Sequence, residues 1–118
     1  MLEERTEAFA GSVRTFLKMI PKTVEQEDDM AQLRRAAGSV AANYIEANEA
    51  LGKPDFCMRI RICLKESKEA RLWLRLLDGC RPGTPQEELR QSLINESHEL
   101  VRIFGAILRT VKKTLHTQ

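Results

Sequence analysis

The side chains able to do chemistry in this chain are few and scattered. Its only histidines are His98 and His116, on a long helix and on the tail after it. Neither has a Cys, Asp or Glu at a spacing that makes a metal site. Di-iron bundles need Glu-x-x-His pairs on facing helices, and Asn95-Glu96-Ser97-His98-Glu99 does not supply that spacing. Ser39 and Ser67 have no base nearby in sequence. Gly38-Ser39-Val40 lies within a helical period instead of following a strand, so it is not a phosphate loop. The expectation is a non-enzymatic protein without a cofactor.

The remaining chemistry is charge. At about 100° per residue, Arg61, Lys65, Lys68 and Arg75 share one face of a helix. Arg102, Arg109 and Lys113 form a second basic row, and no acid follows Glu99. Bundle exteriors normally carry charge, so a solvated face is one reading. The other is a surface that contacts the phosphates of RNA or DNA, reinforced if several subunits repeat it. No aromatic platform accompanies either row, so base stacking is not indicated.

Four helices must position these rows. Phe9, Val13, Phe16, Leu17 and Ile20 make one apolar stripe in a first helix over 3–20, stopped by Pro21. Met30, Leu33, Ala37, Val40, Ala41, Tyr44 and Leu51 recur at three- and four-residue steps and predict a second helix over 26–50. Phe56, Ile60, Cys63, Ser67, Ala70, Leu74 and Leu77 predict a third over 54–78. The short link Leu51-Gly52-Lys53-Pro54 turns the second helix back on the third, with Gly52 expected in the left-handed conformation. Gly79 to Pro85 is a strong break. Thr84-Pro85-Gln86-Glu87 then reads as a capping box for a fourth helix over 85–115. That helix is about 45 Å long and carries Leu89, Leu93, Leu100, Phe104, Ile107, Val111 and Leu115. The fold expectation is all-α, a single four-helix bundle over residues 1–118.

Bulk composition fits that expectation. The 118 residues are 42% hydrophobic and 31% charged, and the net charge of +2 is too small to argue nucleic-acid binding by itself. No stretch approaches the roughly 20 apolar residues of a membrane span. Met1 to Phe9 lacks a signal-peptide pattern, so a cytoplasmic location is the default expectation. Cys57, Cys63 and Cys80 are odd in number and lack metal spacing; they read as reduced, with Cys63 in the core.

Two features exceed the needs of one core. Met58, Ile62, Trp73 and Leu76 widen the apolar arc of the third helix to roughly 200°, where one buried face needs about half that. Glu66 and Glu69 lie beside this flank and require partners such as Arg59 or another arginine. On the second helix Ala31, Gly38 and Ala42 lie opposite the core stripe, where small residues let another helix approach. Internal packing explains either feature singly; together they favour a homo-oligomer.

The run Arg35-Ala36-Ala37-Gly38-Ser39-Val40-Ala41-Ala42-Asn43-Tyr44-x-Glu46-Ala47, then Asp55-Phe56, then Leu64-Lys65-Glu66-Ser67-x-Glu69-Ala70-x-x-Trp73-Leu74 resembles the bacterial four-helix-bundle family of 23S rRNA intervening-sequence proteins. Arg71-Leu72-Trp73-Leu74-Arg75 is also similar to a segment of the accessory variability determinants of diversity-generating retroelements. The resemblance implies antiparallel, up-down-up-down bundles that assemble as a homopentameric ring, with no catalytic residues. For the retroelement branch it implies a basic surface that binds nucleic acid and a reverse transcriptase. Asn43-Tyr44 places the chain nearer the intervening-sequence branch.

Overall fold

Thr23, Gly52 and Thr84 mark where three of the four helices begin. In the computed structural model the elements are α1 (Leu2–Met19), α2 (Val24–Asn48), α3 (Lys53–Leu76) and α4 (Pro85–Thr117). The structure describes residues 1–117, with side chains through Lys112. Lys113, Leu115 and His116 therefore lie outside the described side chains. All regular structure among the described residues is helical, with no strand.

Local chemistry sets the boundaries. Pro21 disfavours a helical residue before it, and Ile20 is extended. Thr23 caps α2, its Oγ1 accepting from the Gln26 N–H at 3.3 Å. α2 thus starts two residues earlier than its acidic first turn suggests.

Two expectations about caps are corrected. Gly52 is not left-handed: at φ −173° it is the extended N-cap of α3, a conformation that does not need glycine. The left-handed glycines are Gly79 (φ 92°) and Gly83 (φ 83°), both in the loop before α4. At Thr84 only half of the capping box forms. Thr84 Oγ1 accepts from the Glu87 N–H at 3.2 Å, but the Glu87 carboxylate turns to Arg90 at 2.7 and 3.0 Å instead of back to the cap. A two-pronged, charge-assisted pair outcompetes a single amide.

The core draws on all four helices. Val13 and Phe16, Leu33 and Val40, Ile60 and Leu74, and Leu100 and Phe104 are all fully buried. Burying one such side chain contributes about 1.5–3 kcal/mol. Ala36, Ala37 and Ala70 are also sealed from solvent, and their small size lets α2 and α3 close on each other. α4 matches the 52 Å long axis of the molecule, as its 33 residues require. Leu51 departs from its predicted stripe. α2 ends at Asn48, so Leu51 falls in the link and is fully exposed.

Candidate functional site

The central motif is a polar lock between α2 and α3. Asn43 Nδ2 donates to Ser39 O and Ser39 Oγ at 2.9 and 3.0 Å. Its Oδ1 accepts from Arg59 Nη1 at 3.0 Å. Two turns before Asn43 on α2, Arg35 Nη1 donates to the buried Glu66 Oε2 at 3.1 Å, and its Nη2 lies 3.8 Å from Glu69. Glu66 thus finds its arginine on α2, and Arg59 is taken by Asn43. Burial pushes the Glu66 carboxyl up, but hydrogen bonds from Glu69, Ser39 and Arg35 outweigh burial and hold it below the usual carboxylate range. Glu69 moves the other way, raised first by its hydrogen bond to Glu66. Tyr44 packs on Phe104 of α4 with ring centroids 6.1 Å apart.

Outside this lock lies an uncovered face. On α2, Ala31 and Ala42 are exposed, Gly38 is half-buried, and a Cβ built at Gly38 meets nothing within 4 Å. On α3, Met58 is 46% and Leu76 52% exposed, while Ile62 is half-buried. Trp73 divides from this set: it is half-buried and packs on the core. Ile45 and Leu72, at 44% and 46% exposure, extend the face and were missed from sequence. The signal was present. Ala31, Gly38 and Ile45 recur every seven residues on α2, as Met58, Lys65 and Leu72 do on α3.

The basic rows are less uniform than their spacing suggests. Arg61, Lys65 and Lys68 are exposed on α3. Arg61 and Lys68 make no ion pair among the described residues, while Lys65 acts electrostatically on Glu69. Arg75 reaches across to His98 of α4, beside Arg71. On α4, Arg102 is held by Glu99 at 2.7 Å, and Arg109 lies over Gly105, its Nη1 3.3 Å from where a Cβ there would stand. Of the two rows, Arg61 and Lys68 on α3 and Arg109 on α4 are thus left without an ion pair among the described residues.

Ser39, Ser67 and two of the cysteines are buried or engaged. Ser67 Oγ is buried without a partner, and Ser39 Oγ is engaged by Asn43. Cys63 is sealed in the core, where burial raises its thiol to about 12. Cys57 is buried as well. No group of three or more potential metal ligands occurs among the described residues, and none of the described helices is long and apolar enough to cross a membrane.

Comparisons with known proteins agree with this architecture. A crystal structure from Bacteroides thetaiotaomicron is similar, with a TM-score of 0.75 and 28% identity over 92% of this chain and 98% of that one. It is described as a protein of unknown function from the S23 ribosomal protein family. No curated protein matches the chain. The family model described as 23S rRNA-intervening sequence protein matches residues 3–106. With the motif on α2 and α3 accounted for and the match running through all four helices, the chain belongs to the 23S rRNA-intervening sequence protein family.

Proposed function

We propose that this protein is a non-enzymatic cytoplasmic scaffold whose up-down-up-down bundles assemble, copy on copy, into a ring of five that presents the α3 basic row to RNA or DNA. The observation that carries this reading is the division of the outer surface of α3. One side bears Met58, Ile62 and Leu76, flanked by the small residues of α2; the other bears Arg61 and Lys68, with no ion pair among the described residues and with Leu72 alongside. Exposed apolar side chains that cluster beside open space at Gly38 suit a second helix pair. A +2 chain is a weak electrostatic partner for nucleic acid, but a ring repeats the row and strengthens its field.

Light scattering on a sizing column tests the assembly. A mass near five times the 13.5 kDa chain is expected, and a monomer would sink the ring. Binding to a mixed RNA and DNA pool tests the rest. Affinity is expected to be measurable at about 50 mM salt and to fall steeply as salt rises.

The exposure of Leu72 and Leu76 within and beside Arg71–Arg75 favours a second reading, a protein-interaction module such as a reverse-transcriptase accessory protein. A partner retained in a pull-down after nuclease treatment would support it.

A further inference from the structure

Arg71, Arg75 and His98 meet on the surface where α3 faces α4. Arg71 Nη1 lies 3.0 Å from His98 Nδ1, and Arg75 Nη2 lies 3.2 Å from His98 Nε2. A guanidinium has only donors, and a neutral imidazole has one lone pair and one N–H. Whichever ring nitrogen carries the proton, one arginine therefore faces a donor; in the imidazolium both do. The cluster is short of an acceptor.

No carboxylate among the described residues makes up the deficit. Glu99 holds Arg102, Glu96 holds Arg5, and Glu66 and Glu69 engage Arg35. The end of α3 offers little more, because Leu74 O already accepts from Arg90. Arg71 and Arg75 are also one helical turn apart, a spacing at which like charges repel. An oxyanion between them removes both penalties. Its oxygens can accept from two guanidinium forks while the imidazole donates its N–H.

We propose that Arg71, Arg75 and His98 form a seat for one backbone phosphate of a nucleic acid, held between α3 and α4. The seat rests on the nucleic-acid reading above and extends it from Arg75 to Arg71 and His98, which lie outside the two basic rows. Arg71 is half-buried, so one fork is held in place before the phosphate arrives. Lys68 and Arg61 continue from the seat along α3, about 21 Å from Arg61 to Arg75 at 1.5 Å per residue. A strand seated at one phosphate is thus led along the row.

The test uses the full chain and a fluorescently labelled single-stranded RNA, with the matching DNA, followed by anisotropy from 50 to 200 mM NaCl. R71Q/R75Q is expected to weaken binding at least tenfold and to flatten the salt slope by about 0.7 per lost phosphate contact. R71K/R75K, which keeps the charge and loses the forks, is expected to recover the slope but not the full affinity. Unchanged affinity and slope in R71Q/R75Q, with K65Q/K68Q weakened, would overturn the seat and leave nucleic-acid binding standing. A second readout separates the two ideas. His98 ring resonances are followed by NMR as inorganic phosphate is added. A saturable shift in the wild type that is absent from R71Q/R75Q supports the seat. No shift overturns it, even if RNA binds elsewhere. Wild-type protein that binds neither RNA nor DNA at 50 mM NaCl would overturn the nucleic-acid reading, and the backbone-phosphate assignment with it.

Discussion

Glu66 shows how a single residue ties the two central helices together. A buried carboxylate is costly unless charged partners reach it, and Arg35 does so from α2. Arg35→Met is expected to destabilise the fold by about 1–3 kcal/mol at neutral pH, below the range for fully buried pairs because Arg35 is half exposed. The folded-state pKa of Glu66 is depressed, so this contribution is complete above its unfolded value and disappears as pH falls through the folded one. Glu69 is raised and works in the opposite sense, so the comparison is repeated in a Glu69→Gln background, where the amide N–H can still donate to Glu66. Denaturant midpoints for the pair of proteins should converge as the medium is acidified below about pH 4. Cys63 sets the alkaline side. With its thiol raised to about 12, the folded state keeps a proton that the unfolded chain gives up near pH 8.5. Stability from this group is therefore full below that pH and lost as pH rises toward 12. Cys63→Ala should flatten the alkaline fall, as read by urea midpoints between pH 8 and 11. An unchanged slope would show that other groups govern it.

At the scale of elements, the least regular segment carries the most specific tether. Gln26 lies in the first turn of α2. Its Nε2 donates to Asp78 O at 3.1 Å, and its Oε1 accepts from the Asp78 N–H. Both backbone groups just past α3 are thereby satisfied, and the start of the α3–α4 loop is pinned to α2. Gly79 follows with positive φ, where an added Cβ would stand 3.4 Å from the Pro21 ring. Gln26→Leu leaves a donor and an acceptor without partners, which predicts a loss of about 1–3 kcal/mol by thermal or chemical unfolding. Hydrogen exchange should report the same change locally, as faster exchange of the Asp78 amide. A stability equal to wild type would mean that the tether follows the loop and does not hold it.

For the whole molecule, Gly38 is the position at which folding and the proposed assembly can be tested apart. Open space surrounds its built Cβ, so the bundle itself has room for a side chain. Gly38→Ala should stabilise the isolated fold by about 0.5–1 kcal/mol through helix propensity. Gly11, on α1 and equally open, should respond in the same way as a control. Gly38→Leu should leave the helical content intact, yet block close approach of a second helix pair. Light scattering would then show the assembled mass falling to that of one chain, whereas Gly11→Leu would leave it unchanged. An assembled Gly38→Leu protein would move the subunit contact away from the α2–α3 face.

The helices, and most of what each one buries, follow from local residue spacing. Phe16, Leu33, Ile60, Leu74, Leu100 and Phe104 recur at the period of a helix face, and periodicity is a local property that burial only confirms. Caps were partly legible, because Thr84 and Pro85 act within one turn. The competitor for Glu87 became evident only once Arg90 was seen to hold both of its oxygens. Pairing across helices had to await the tertiary structure. Arg35 and Glu66 are 31 residues apart, as Gln26 and Asp78 are 52 apart. Such contacts depend on the register and rotation of packed helices, which a wheel drawn for one helix does not contain. The same holds for the basic surface. Spacing grouped Arg75 with Lys68, but packing turned Arg75 toward His98 of α4, beside Arg71; Arg102 pairs with Glu99 one turn earlier on its own helix, a contact that spacing alone allows. Charge in a row is written in the sequence; whether it stays unneutralised depends on which side chains the fold brings within reach.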